Sequence, residues 1–170
     1  LTVSDESRGD AVAAAPQAES RLDRIARDAA TGDPELVARL LAEIAPLLVR
    51  YCRARLGRRG TSYREADEVA ADAGRAVLAA VPGYHGGPFL RLLYDVLTRT
   101  VEELAPSGLP ATGSDLTGLL PTLPPLDRDI VLLRVATGLS ADETASVLGL
   151  SLGQVRVAQH RALSKLRAML

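Results

Sequence analysis

The 170-residue chain has one cysteine, one phenylalanine, one lysine and no tryptophan. With Cys52 alone no internal disulfide can form, and Cys52 with His85 and His160 is too small a set for a zinc site of ordinary ligand number. No metal or other cofactor is expected. Aromatic residues make up 3% of the chain against 47% apolar overall, so any core must be built from Leu, Val, Ala and Ile. That composition favours packed helices over a β-sandwich. No apolar run approaches the roughly 20 residues needed to cross a bilayer, and the start lacks a basic segment followed by an apolar one. A soluble protein of the cytoplasm with no membrane partner is expected. Phosphate-cradling glycine loops, nucleophile elbows and metal motifs are also missing, which points to a non-enzyme.

An excess of one charge is lacking too. The formal net charge is -1, which excludes a uniformly basic nucleic-acid binder. The distribution along the chain is uneven, however: residues 1–33 sum to -3, residues 34–101 to +3, residues 102–125 to -3 and residues 126–170 to +2. From Leu152 to the end stand Arg156, Arg161, Lys165 and Arg167 with no acid. A basic patch lies inside an acidic protein.

Residues up to about 33 are rich in Ala, Ser, Asp and Glu without a sustained apolar period and read as an acidic, flexible leader. From Pro34 the residues Leu36, Val37, Leu40, Leu41, Ile44, Leu47, Leu48, Tyr51, Cys52 and Leu56 recur at three- and four-residue steps. They predict one long amphipathic helix, capped by Asp33, which Pro46 should kink or divide. A second helix is expected from Ser62 or Arg64 to Pro82-Gly83, and a third from Phe89 to Leu104, giving a three-helix unit over 34–105. Residues 106–121 carry the Pro, Gly and Ser of a linker. Cys52 falls in the apolar period and reads as a structural thiol. The arginines Arg50, Arg53, Arg55, Arg58 and Arg59 read equally well as a solvated face or as a surface for a partner.

The last unit, 122–170, is sharply punctuated. Helices are expected over about 126–136, 141–148 and 152–170, separated by Gly138-Leu139-Ser140 and Gly149-Leu150-Ser151. Ser140 with Glu143, and Ser151 with Gln154, have capping-box spacing. Ala145, small where two helices meet, Gly149, in the turn, and Val155, apolar on the second helix, have the offsets of a helix-turn-helix. Such motifs lay the second helix in the DNA major groove. Gln154, Arg156, Val157 and His160 would face base edges, with Arg161 and Lys165 placed for phosphates. Arg156 suits a guanine edge and Gln154 an adenine edge.

The stretch from Leu123 to Arg167, LPPLDRDIVLLRVATGLSADETASVLGLSLGQVRVAQHRALSKLR, resembles the fourth conserved region of bacterial sigma factors. Tyr51-Cys52-Arg53-Ala54-Arg55-Leu56-Gly57, Ala66-Asp67-Glu68-Val69-Ala70, Val81-Pro82-Gly83-Tyr84 and Pro88-Phe89-Leu90 with Tyr94 are similar to the second region of the extracytoplasmic-function (ECF) group, nearest its actinobacterial sigma-D branch. The resemblance implies an all-α fold of two small helical domains joined by a flexible linker. It also implies a subunit that binds core RNA polymerase through the β′ clamp helices and the β flap, with promoter DNA and an anti-sigma factor as further partners. The -35 element would be read by the last helix. Phe89, Tyr94 and Arg99 would serve the -10 element, and Arg53, Asp67, Glu68 and Asp72 would contact the polymerase. Two stretches depart from the family pattern: Ala71-Asp72 stands where a polar pair is usual, and 97–106 carries one base and two acids where the family is basic. Two other readings stay open, a degenerate sigma relative without promoter opening and a stand-alone helix-turn-helix regulator.

Overall fold

A computed structural model describes residues 19–58, 62–104 and 116–170. The leader up to residue 18, Arg59 of the arginine run and linker residues 105–115 lie outside them. The described residues are all-α, without a strand, as the composition requires.

Helix α1, Arg21–Ala29, begins on a capping box: Asp23 N donates to Ser20 Oγ at 3.1 Å and Ser20 N to Asp23 Oδ2 at 2.9 Å. It buries Ile25, Ala26 and Ala29 against the next helices. The leader expected through residue 33 therefore ends in a core helix, whose apolar face is too narrow to stand out from its charges. The other carboxylate oxygen of Asp23 accepts from Phe89 N at 2.7 Å, tying α1 to a distant helix start.

Helix α2, Pro34–Leu56, is capped by Asp33 as its spacing implies, and runs unbroken through Pro46. Proline removes one backbone donor, leaving the Ala42 carbonyl without its usual partner. Both Pro46 and Ala42 are exposed, so water can satisfy that carbonyl, and Pro46 does not divide the helix in two. Helix α3, Arg64–Ala80, ends in a 3₁₀ turn, Val81–Gly83, and α4 spans Phe89–Leu104. Leu40, Ile44, Leu48, Val77 and Phe89 form the centre of this unit, with Cys52 fully buried beside them. Burial, and then the charge of Asp67, push the Cys52 thiol up to about 12, so it stays protonated and structural.

The chain resumes in a single turn, α5 (Leu116–Leu119), and a 3₁₀ turn to Thr122, within the stretch expected as linker. Leu120 and Leu123 are buried in the same cluster as α2 and α4. Helix α6, Pro125–Val131, widens into a π turn over Leu132–Ala136, where Thr137 N donates to Leu132 O, five residues back. The single α-helix expected to 136 is thus half π, an i→i+5 distortion that periodicity does not register. Helices α7, Ala141–Leu148, and α8, Leu152–Arg167, complete the fold. Val131, Leu132, Ala162 and Leu166 join the cluster of the first unit. The two units thus share one continuous core.

No helix of the described residues is long and apolar enough to cross a membrane, and no group of three or more His, Cys, Asp or Glu among them could hold a metal ion.

Candidate nucleic-acid interface

Helices α7 and α8 are held at a fixed angle by their caps and by one small apolar cluster. Glu143 N donates to Ser140 Oγ at 3.1 Å and Ser140 N to Glu143 Oε2 at 2.6 Å; the equivalent distances for Ser151 and Gln154 are 3.2 and 2.8 Å. Gly149 closes α7 in the left-handed region, φ 66° and ψ 34°, with its N–H and that of Leu150 both directed at Ala145 O. Val155 is fully buried on Ile130, Ala145 and Ala158. The small, glycine, apolar offsets thus perform the roles their spacing implies.

This frame turns one face of α8 outward. Arg156, Val157 and His160 are exposed, Val157 at 65% although it is apolar. A β-branched apolar side chain left in water beside an arginine and a histidine suits contact with a thymine methyl in the groove. Gln154 is exposed too, but its side-chain carbonyl is spent on the Ser151 cap, leaving the NH₂ donors free.

The two cations expected at phosphates are otherwise engaged. The Arg161 guanidinium forks onto both oxygens of Asp127, whose side chain is 1% exposed. That carboxylate raises the pKa of Arg161 through hydrogen bonding and charge. Lys165 Nζ donates to Thr122 O at 2.7 Å. Both groups clamp α8 to the α5–α6 segment, so Arg161→Ala is expected to lower the melting temperature as well as DNA affinity. A variant that melts like the parent and loses only DNA binding would return Arg161 to a phosphate role. Charge counting along α8 could not reveal this, because Asp127 lies 34 residues upstream. Arg134, which the sequence did not single out, donates to Gln159 Oε1 at 3.0 Å and to Leu139 O, pinning the π turn to α8.

The side chains expected at the -10 element are dispersed. Phe89 is fully buried, edge-on to Tyr84 at 5.3 Å, and belongs to the core instead. Tyr94 packs edge-on to Tyr51 at 6.1 Å, near the Asp129 carboxylate, between the two units. Only Arg99 is exposed, with the acids Glu102 and Glu103 one turn on.

Burial holds both Tyr51 and Tyr94 well above the ordinary tyrosine range. Because their folded values are raised, the stability they carry is complete below their unfolded value of about 10 and is lost as pH rises from there. A titration followed by tyrosinate absorbance should show two of the four tyrosines ionising only as the fold melts. Four normal titrations in folded protein would contradict that burial.

The residues expected at polymerase do come together. Arg53 donates to Asp67 through Nε at 2.7 Å and through its terminal nitrogen at 2.8 Å, Arg64 pairs with Glu68 at 2.9 Å, and Arg75 pairs with Asp72. The Arg53 hydrogen bond holds the Asp67 carboxyl below the usual range. Arg53 and Arg58 lie 5.0 and 5.1 Å from the Tyr63 ring centre. The expected acidic face is therefore a charge-matched one: Glu68 is exposed, Asp67 and Asp72 are partly so, and each stands beside an arginine.

Two capped helices around a glycine turn, with an acid-free outer face on the second, define a helix-turn-helix protein joined to a second helical unit. The model of "Sigma-70, region 4" matches residues 114–166. The ECF RNA polymerase sigma factor SigD of Mycobacterium tuberculosis is 36% identical over 175 residues, covering 86% of this chain and 82% of that protein. The ECF RNA polymerase sigma factor ShbA of Streptomyces griseus is 36% identical over 173 residues, covering 83% and 91%. Among solved structures, CnrH in complex with the cytosolic domain of CnrY superposes with a TM-score of 0.70 at 26% identity, over 87% of this chain and 96% of that one. The chain belongs to the family of ECF RNA polymerase sigma factors. It has a role in transcription and is not of an enzyme family.

Proposed function

We propose that the chain is a cytoplasmic promoter-specificity subunit that binds core RNA polymerase and reads the -35 element with α8. The observation that carries this reading is the outward face of α8, where Gln154, Arg156, Val157 and His160 stand exposed on a helix locked by Gly149 and Val155. Residues 34–105 would serve as the polymerase-binding domain and 122–170 as the -35 and β-flap domain. Arg53, Asp67, Glu68 and Asp72 supply a surface for the β′ clamp helices, in which partner charges exchange with the internal pairs. Such exchange costs little, because solvent-exposed ion pairs are worth at most about 1 kcal/mol. An anti-sigma partner suits the same body, since the CnrH structure contains the cytosolic domain of CnrY.

Co-elution of the full chain with core polymerase tests the reading against a stand-alone regulator, which would bind specific DNA without polymerase. Arg156→Ala is expected to cost about 1–3 kcal/mol at one base position of the -35 element and to relax specificity there. A selection of bound sequences with each protein reads this directly. Equal weakening on every sequence would make Arg156 a phosphate contact.

The acids Glu102 and Glu103, exposed at the end of α4, favour a second reading in which -10 opening has been lost. Full promoter opening by the unmodified chain would end it.

A further inference from the structure

Arg161 is seated on Asp127 by one edge only. Its Nε donates to Asp127 Oδ2 at 2.8 Å and its Nη2 to Oδ1. A guanidinium carries five N–H donors, so three remain, one on Nη2 and both on Nη1. The Arg161 side chain is 58% exposed, against 1% for Asp127. The inner edge of the guanidinium is thus fixed in the protein while its outer edge is open.

The carboxylate beneath it is held in place. Asp127 stands in the first turn of α6, where the helix dipole favours a negative charge. Ile130, one turn further along, is fully buried on Val155 and Ala158 of α8 and fixes that turn. Were Arg161 to leave, an unpaired charge would remain in a site closed to water. Removing one partner of a buried pair costs far more than an exposed ion contact returns. Arg161 therefore stays on Asp127 and meets any ligand through its outer edge.

That edge lies where a duplex would press. Arg161 follows His160 and stands one turn after Val157, both exposed, at the flank of the outward face of α8. A helix about 10–12 Å across fills a major groove about 12 Å wide, so the flanks of its outward face meet the phosphate walls. Lys165, one turn on, is turned back to Thr122 O.

Charge and geometry give Asp127 effects of opposite sign. By charge alone it weakens DNA binding, because it cancels Arg161 and repels phosphate. By geometry it strengthens binding: an arginine already forked onto a carboxylate has lost in advance the rotamer freedom that a free one loses on meeting its ligand. The fork also fixes the plane of the guanidinium. Because Asp127 lies under Arg161, a phosphate at the outer edge is nearer the cation than the anion, and geometry prevails.

We propose that Asp127 is a positioning residue of the α8 interface, which holds Arg161 so that the outer edge of its guanidinium takes a backbone phosphate beside the -35 element. The inference rests on the promoter-subunit reading, but its test does not, because phosphate contacts are blind to sequence. Two labelled duplexes serve as probes over a range of salt concentrations. One carries the -35 sequence selected by the parent chain with core polymerase and is bound by that complex; the other has random sequence and is bound by the full chain alone.

Asp127→Asn makes the chain more positive, yet it should weaken binding several-fold on both duplexes. Its salt dependence should be shallower by about 0.9 in log–log slope, the share of one phosphate. Arg161→Lys keeps the charge but cannot fork, and should weaken binding alike. In an Arg161→Ala background, Asp127→Asn should weaken binding no further, which a general loosening of α8 would not reproduce. Melting curves place every measurement below the transition of each variant, and Arg161→Lys carries the comparison should Asp127→Asn fail to fold.

An Asp127→Asn protein that binds as tightly as the parent, or more tightly, overturns the proposal, as does further weakening in the Arg161→Ala background. A parent that selects no sequence defeats the promoter-subunit reading alone, and the random duplex then tests Asp127 by the same signs. A parent that binds neither duplex overturns both.

Discussion

Phe89→Ala is expected to lower folding stability by about 3–5 kcal/mol, the range for emptying a fully buried aromatic site. Phe89 has no exposed surface, its ring meets Tyr84 edge-on, and its N–H is held by Asp23 of α1. The variant should therefore loosen three segments together: α1, the Val81–Gly83 turn and the start of α4. Phe89→Leu, which keeps most of the volume, should recover much of the loss. Chemical denaturation of both variants checks this. A Phe89→Ala protein as stable as the parent, but deficient only in DNA opening, would restore Phe89 to the nucleic-acid surface and contradict the packing described above.

Gly149→Val should be the second costly change. An L-residue in the left-handed region costs roughly 1–2 kcal/mol, and a β-branched one lies at or beyond the upper end. The added Cβ would also meet the end of Arg91 at 2.9 Å. That side chain is flexible and can move, but moving it releases the hydrogen bond that Arg91 Nε donates to Val147 O at 3.4 Å. The expected result is a lower melting temperature and loss of -35 binding in one substitution. Gly149→Asn, which tolerates positive φ, should lose less. An unchanged melting temperature for Gly149→Val would place the turn elsewhere.

How far the sequence disclosed the fold depended on whether its signal was local. Capping boxes, turn glycines and three- and four-residue apolar periods are local, and Ser140, Ser151, Gly149 and Val155 stand as their spacing implies. Helix α1 was hidden because its buried face is short and partly alanine. The passage of α2 through Pro46 was hidden because only the fold shows which side of the helix faces water. The site was legible in the same uneven way. The outward face of α8 follows from helical period alone, whereas the fates of Arg161, Tyr94 and Arg91 depend on Asp127, Tyr51 and Val147, each more than 30 residues distant in sequence. Nothing in the spacing of a basic helix distinguishes an arginine waiting for phosphate from one already seated on a buried carboxylate. Phe89 failed as a -10 candidate for a related reason: an aromatic at a helix start looks the same in sequence whether it faces solvent or core.

The most direct test of the promoter-subunit reading is run-off transcription by core RNA polymerase, with and without the full chain, on a pool of promoter fragments from an actinobacterial genome. The expected result is a set of transcripts that appear only with the chain and share a -35 sequence, with Arg156→Ala changing the base tolerated at one position of it. Absence of any chain-dependent transcript, in protein shown to be folded, would contradict it.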